Sequence, residues 1–185
     1  VIDRLASTRP VVPMRLATVF TSDASLRALV AERGPELRDV LHRIGRSREW
    51  GVKAFAATGR AVKAVAEQEA GAGSGTAYLQ RRRDELAASK RARHEEARSA
   101  EGIHEALSGL AADSRLHPPQ VPQLAGTKAT MLLNAAYLLD GASERPFREA
   151  VEDLARQHPA LRLQLTGPWP PYSFAGLDAT QEARP

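Results

Sequence analysis

A run near the end of the chain reads Leu161-Arg162-Leu163-Gln164-Leu165-Thr166-Gly167-Pro168-Trp169-Pro170-Pro171-Tyr172-Ser173-Phe174. Its first five residues alternate apolar and polar side chains, which is the period of a half-buried β-strand. The alternation stops at Gly167, and three prolines in the next four positions lack a backbone donor, so we expect the strand to end there. The aromatic side chains that follow either cap the hydrophobic core or form a binding surface, and we favour the cap.

Composition limits the kind of protein. Of 185 residues, 43% are hydrophobic and only 5% aromatic, so long amphipathic helices are expected to supply much of the core. The formal net charge of +4 comes from a near-balanced mixture of acids and bases, which is typical of a solvated surface. The absence of cysteine excludes disulfides and cysteine nucleophiles. The sequence has no apolar run of transmembrane length and no signal segment, so we expect a cytoplasmic protein.

The first quarter of the chain mixes helix and strand patterns. Val1 to Ser7 reads as the end of a helix, from which we expect further residues to precede it. The β-branched run from Val11 to Phe20 predicts a strand, with Pro13 at an edge or bulge position. Two helices follow, the first with an N-cap in Thr21-Ser22-Asp23. We interpret residues 1–47 as the C-terminal part of an incomplete α+β domain.

The next segment predicts a strand, a linker and a long helix. Glu49 to Ala57 alternates again and predicts a strand. Residues 58–75 end in a glycine-rich stretch and are interpreted as a linker. A helical pattern then runs over 76–112, with apolar residues near both ends and a polar middle from Ser89 to Ser99. We expect both ends of this helix to pack and the middle to project into solvent.

Lys128 to Asp140 is the most apolar stretch, and it fits a buried helix about as well as a strand by propensity alone. Turn residues on both sides favour a central strand. A helix is predicted from Ser143 to just before His158, followed by the strand at Leu161. This order matches the split βαβ arrangement of a ferredoxin-like fold, an antiparallel sheet with helices on one face. We therefore predict an α+β protein of two domains, the second a modified ferredoxin-like domain over 48–174, and a tail over 175–185.

The sequence predicts no catalytic, cofactor or metal site. Gly71-Ala72-Gly73-Ser74-Gly75 precedes a helix but lacks the lysine and hydroxyl of a phosphate-binding loop. The five histidines are scattered, and no serine sits in a Gly-x-Ser-x-Gly elbow. Arg81-Arg82-Arg83 and Lys90-Arg91-Ala92-Arg93 are the best nucleic-acid candidates, but interleaved acids favour a solvated helix. Arg15 lies within an apolar run, and is either a partner for a buried carboxylate or part of an interface.

The closing run resembles the C-terminal signature of the gas vesicle accessory proteins GvpF and GvpL. Seven residues carry this likeness: Gly167, Pro168, Trp169, Pro170, Pro171, Tyr172 and Phe174. Four further segments resemble the same family in the same order: Pro10–Phe20, Glu49–Lys53, Gly75–Arg82 and Met131–Leu139. The sequence departs from the family pattern at Met14, Leu16 and Ala17. These changes in side-chain volume are tolerable and leave the implied function intact.

This resemblance implies a non-enzymatic protein that assembles or nucleates gas vesicles, gas-filled protein shells inside the cell, by binding the small hydrophobic shell protein GvpA. Other gas vesicle accessory proteins are further implied partners, with no cofactor, nucleic acid or membrane. We take Arg15, Trp50 and Tyr137 as candidate interface residues and expect the closing signature to be structural. Two alternatives remain: a nucleic-acid-binding module that uses the arginine-rich helix, and a ferredoxin-like regulator that binds a small molecule.

Overall fold

The computed structural model of the protein describes residues 2–6, 8–14, 18–57, 75–120 and 129–176. The helices and strands, in chain order, are α1 (Ile2–Ala6), α2 (Asp23–Glu32), α3 (Gly34–Ile44), β1 (Arg48–Ala56), α4 (Gly75–Ser108), β2 (Asp113–Leu116), β3 (Met131–Leu139), α5 (Glu144–Gln157) and β4 (Leu161–Trp169). A 3-10 turn over Tyr172–Phe174 follows β4. The α+β class predicted from the sequence is confirmed.

The described strands form one antiparallel sheet in the order β2-β3-β1-β4. The apolar stretch that fitted helix or strand equally is the central strand β3, and it is buried along most of its length. Trp50 of β1 lies opposite Tyr137 of β3, and Val52 lies opposite Ala135. Because successive side chains of a strand point to opposite faces, this register places all four on the same face of the sheet.

Helices α4 and α5 cover that face, which we call the helix face. Helix α5 presents Phe147 and Val151 one turn apart, as the period of an amphipathic helix requires. Ser143 takes the N-cap position as predicted, although its side chain makes no cap hydrogen bond. The buried residues of this core are Trp50, Val52, Ala54, Ala100, Ile103, Leu107, Leu133, Ala135, Tyr137, Leu139, Phe147, Val151 and Leu161. Most of the buried apolar surface therefore lies between the sheet and these two helices.

The opposite face of the sheet is partly covered by α3, which precedes the predicted ferredoxin-like segment. Val40 and Ile44 of α3 are one helical turn apart and pack with Ala136, Leu138 and Phe174. Ala136 and Leu138 alternate with the residues that point to the helix face, which is why apolar residues lie on both sides of β3. We call this side the second face.

The strand predicted over Val11–Phe20 is wrong for the parts that the structure describes. Residues 11–14 and 18–20 have no regular secondary structure, and residues 15–17 lie outside the described residues. Pro10 and Pro13 remove two of the backbone donors that a ladder needs. Val12 instead packs against the second-face cluster, so its apolar side chain is used in tertiary packing and not in a sheet.

Strand β4 does not end at Gly167 as predicted but continues through Pro168 to Trp169. It lies at the edge of the sheet, where a proline costs no hydrogen bond if its missing N–H would face outward. The pairing register with β1 shifts between Glu49 and Gly51, and Gly167 has a φ of 120° in the same region. This irregularity lets the chain pass the proline and still pair Trp169 with Glu49.

The long helix α4 ends at Ser108, before the predicted end at Ala112. The chain turns there, and the Ala112 N–H donates to the carbonyl of Leu138 in β3 at 2.9 Å. The C-terminal end of α4 packs as predicted, but the prediction for its N-terminal end is wrong. Its apolar residues are exposed: Tyr78 64%, Leu79 61% and Leu86 51%. A 34-residue helix is about 51 Å long and a nine-residue strand about 30 Å, so α4 extends beyond the sheet.

The predicted linker over 58–75 lies, apart from Gly75, outside the described residues. Within the described part of the chain, no helix combines the length and apolar character needed to cross a membrane.

Candidate partner-binding surface

The segment after β4 crosses the second face of the sheet from one edge towards the other. We call residues 170–174 the strap. It begins at Pro170 and Pro171, both buried, and closes into the 3-10 turn through a hydrogen bond from the Phe174 N–H to the Pro171 carbonyl. Because the prolines fix their own φ angles, the strap leaves β4 in a restricted direction.

Glu49 of β1 fastens the middle of the strap. Its two carboxylate oxygens accept hydrogen bonds from the Ser173 backbone N–H and the Ser173 Oγ, each at 2.7 Å. The Ser173 oxygen also lies 3.1 Å from Nε2 of His117, which follows β2. Hydrogen bonds to a carboxylate are stronger than those between neutral groups, so Glu49 is the main polar anchor of the strap.

Phe174 fastens the far end of the strap. Its ring is fully buried in the second-face cluster, and the guanidinium of Arg115 lies 5.5 Å from the ring centroid. Arg43 of α3 donates to the Phe174 carbonyl at 3.0 Å and lies 3.5 Å from the carboxylate of Asp113. The strap therefore connects α3, β1 and β2.

The closing aromatic residues divide into two groups. Phe174 is buried and caps the core, as we expected from the sequence. Trp169 is 51% exposed and Tyr172 is 42% exposed, so these two side chains remain available to a partner. Phe174 thus caps the core, whereas Trp169 and Tyr172 cover it only in part.

Beyond the strap and α3, the second face carries a small buried cluster of Phe55, Ala129 and Met131, with polar side chains around it. Lys53 of β1 donates to Gln120 at 3.1 Å, and Arg162 of β4 lies over the Phe55 ring at 4.5 Å from its centroid. Gln164 of β4 is exposed beside them. Lys53, Arg162 and Gln164 are therefore polar side chains near the β4 edge of the described sheet, and two of them are cations.

Two of the three predicted interface residues lie in the core. Trp50 is 6% exposed and Tyr137 is fully buried, so neither side chain reaches a partner in this structure. The indole N–H of Trp50 has no hydrogen-bond partner among the described residues. The third, Arg15, lies outside the described residues.

Tyr137 belongs to a half-buried polar network between α4, β2 and β3. Its hydroxyl lies 2.9 Å from Nδ1 of His104, and Ser108 lies 3.4 Å from the same nitrogen. The Ser108 hydroxyl donates to Ser114 at 3.0 Å. Burial raises the pKa of Tyr137 above the usual range for a phenol, because the charged tyrosinate is poorly solvated there.

We expect this burial to make the protein sensitive to alkali. The folded pKa of Tyr137 lies above the unfolded value of about 10, so the stabilisation is complete below pH 10 and is lost above it. One such group lowers the free energy of unfolding by about 1.4 kcal/mol per pH unit. Urea denaturation between pH 8 and 11 measures this slope. In Tyr137→Phe the free energy of unfolding should fall less steeply with pH than in the wild type, and in Tyr172→Phe it should fall as steeply as in the wild type. Equal slopes in the two variants would contradict the prediction.

No sequence pattern indicated the strap contacts that hold this surface. Glu49 and Ser173 are 124 residues apart, and no local pattern links them. The one available signal was a glutamate inside a strand, which needs a polar partner if the strand is covered on both faces. Among the described residues, no three His, Cys, Asp or Glu side chains come together as a metal ion would require.

Comparison with known proteins identifies the family. The sequence model of "Gas vesicle synthesis protein GvpL/GvpF" matches residues 1–176. Gas vesicle protein L of Streptomyces sp. (strain CB03234) is 37% identical over 194 residues, covering 99% of this chain and 71% of that protein. Gas vesicle protein F1 of Halobacterium salinarum is 36% identical over 47 residues, 25% of this chain and 22% of that protein.

Two crystal structures share the fold. GvpF from Anabaena sp. PCC7120 superposes with a TM-score of 0.62 at 20% identity, covering 92% of this chain and 68% of that one. GvpF from Microcystis aeruginosa superposes with a TM-score of 0.61 at 19% identity, covering 91% and 71% respectively. The match of the family model over most of the chain and the likeness to gas vesicle protein L lead to one conclusion: the chain belongs to the GvpL/GvpF family of gas vesicle synthesis proteins.

Proposed function

We propose that this chain is a non-enzymatic assembly protein of gas vesicles, acting in the cytoplasm and at the vesicle, and that it binds the hydrophobic shell protein GvpA. Family membership supports the gas vesicle role. The observation that carries the binding surface is the exposure of Trp169 and Tyr172 at the end of β4 and in the strap. Other gas vesicle accessory proteins are further proposed partners.

The geometry of the strap suits these two aromatic residues to binding. Glu49 and Arg43 hold the backbone of the two residues that follow Tyr172, so little conformational entropy is lost when a partner packs against its ring. Large aromatic side chains with a polar end are also the residues most enriched in the energetic centres of interfaces. A shell protein with a large apolar face needs such cover before it is added to a growing shell.

We also propose that residues 48–174 form one ferredoxin-like domain and that residues 1–47 end a preceding α+β domain. The strand order β2-β3-β1-β4 supports this assignment, since it follows from two β-α-β units whose helices share a face. In this arrangement α3 is the part of the preceding domain that packs on the second face.

The double variant Trp169→Ala/Tyr172→Ala is expected to weaken binding to GvpA by about 2 kcal/mol or more, roughly thirtyfold, because it removes both exposed rings. A quantitative pull-down of purified GvpA by the full chain measures this loss. Tyr78→Ala is the matched control, because Tyr78 is 64% exposed but lies on α4. Equal binding by the wild type and the double variant would overturn the proposed surface.

The same pull-down tests Arg15. If Arg15 belongs to the interface, Arg15→Ala reduces capture of GvpA at unchanged thermal stability. If Arg15 only pairs with a carboxylate of its own chain, the substitution lowers the melting temperature and leaves capture unchanged.

A further inference from the structure

The N-terminal part of α4 is a helical arm that the described residues do not cover. Buried side chains of this helix begin at Ala100, and every side chain from Tyr78 to Ser99 is exposed or half-buried. At 1.5 Å per residue, this arm is about 33 Å long. A helix with one packed end and one exposed end presents a continuous rigid surface to solvent.

The charges of the arm are divided between its sides. At about 100° per residue, a set of side chains lies within about 40° of one line along the helix. These residues are Leu79, Arg83, Leu86, Lys90, Arg93 and Ala97, and we call them the basic–leucine face. The acids of the arm lie about 100° or more away from this line; they are Asp84, Glu85, Glu95 and Glu96.

The cations of the basic–leucine face lack an acidic partner within the part of the chain that the structure describes. Arg83, Lys90 and Arg93 are exposed and form no ion pair with any described residue. The neighbouring Arg82, at the border of the face, pairs with Glu85 at 3.3 Å. One acid of the arm, Glu85, is thus paired at the border of the face, while three cations flank two exposed leucines.

We propose that the basic–leucine face binds an acidic amphipathic helix of a partner protein. Leu79 and Leu86 are two helical turns apart, which is the spacing at which one helix packs along another. Cations beside such an apolar line pair with carboxylates that flank the apolar line of the partner. The face from Leu79 to Ala97 is about 27 Å long and therefore accommodates about 18 residues of partner helix.

Other occupants fit this face less well. A second copy that used the same face would bring the three cations of each chain together. Nucleic acid would gain nothing from two leucines on the midline of the face, since phosphates are bound by polar and charged groups. A membrane surface requires a broad apolar sector, which two leucines do not form. The basic–leucine face is separate from the strap, and binding of an acidic helix there does not depend on binding of GvpA.

The test uses the full chain and a fluorescent peptide of about 18 residues, with leucines seven apart flanked by glutamates. Fluorescence anisotropy measures its Kd. Lys90→Glu/Arg93→Glu is expected to raise the Kd about tenfold or more, because two attractions become repulsions. Arg91→Glu/Arg98→Glu makes the same change in net charge on another side of the arm and is expected to alter the Kd less than about twofold. Leu79→Ser/Leu86→Ser should also raise it about tenfold.

Three results would overturn the proposal. The first is no binding of the acidic peptide at millimolar concentration. The second is an equal loss in both charge-reversal variants, which would indicate only a long-range effect of net charge. The third is competition by duplex DNA, by anionic vesicles or by a scrambled acidic peptide as strong as that by the amphipathic peptide. Circular dichroism of each variant checks that α4 keeps its helical content.

Discussion

Replacing Phe174 by alanine is expected to lower the free energy of unfolding by about 3–5 kcal/mol. The ring has no exposed surface and packs with Val40, Ile44 and Leu138 from two other elements. Its removal leaves a cavity under the strap and ends the contact with the Arg115 guanidinium. Urea denaturation followed by circular dichroism measures the loss.

Tyr172→Ala is the matched control, because Tyr172 lies in the same turn but is 42% exposed. It should change the free energy of unfolding by less than about 1 kcal/mol. If the two substitutions were equally costly, the division of the closing aromatic residues into a buried cap and an exposed pair would be wrong.

Replacing Gly167 by alanine is expected to cost about 2–4 kcal/mol, for two independent reasons. Its φ of 120° lies in a region that only glycine adopts without steric strain. A Cβ at this position would also lie 2.9 Å from the Glu49 carbonyl oxygen and 3.3 Å from the Cα of Trp50. Both neighbours are backbone atoms of the adjacent strand, so neither can move aside without breaking the pairing of β1 with β4.

Gly102→Ala provides the comparison for this prediction. Gly102 lies within α4, is exposed, and has no atom within 4 Å of an added Cβ. Alanine should therefore stabilise the helix by about 1 kcal/mol. The melting temperature and the urea midpoint should fall for Gly167→Ala and rise for Gly102→Ala. A neutral result for Gly167→Ala would show that β4 tolerates a side chain at its bulge.

The sequence was informative where a periodic pattern coincided with burial. The alternation around Trp50 predicted β1, and the spacing of Phe147 and Val151 predicted α5, because period 2 and period 3.6 follow directly from backbone geometry. The end of β4 was missed for the opposite reason. Whether Pro168 stops a strand depends on whether its outer edge is paired, and that is a property of the assembled sheet.

The interface residues were harder to predict than the elements. Trp50 and Tyr137 lie in motifs that resemble the family, but a motif residue in a central strand serves the core as readily as a partner. Trp169, Tyr172 and Phe174 looked equivalent in the sequence. The structure separates them: Trp169 ends the edge strand β4, and the 3-10 turn directs Phe174 inward and leaves Tyr172 outside.

The strap has a consequence for synthesis of the protein on the ribosome. Its contacts join Ser173 to Glu49 and Phe174 to Arg43, across sequence separations of 124 and 131 residues. Contacts of such range form only after Ser173 and Phe174 have emerged, and they make folding slow relative to local contacts. Until then the apolar cluster around Ile44 and Leu138 is not covered by Phe174. Translation must therefore pass the last aromatic residue before this half of the molecule can close.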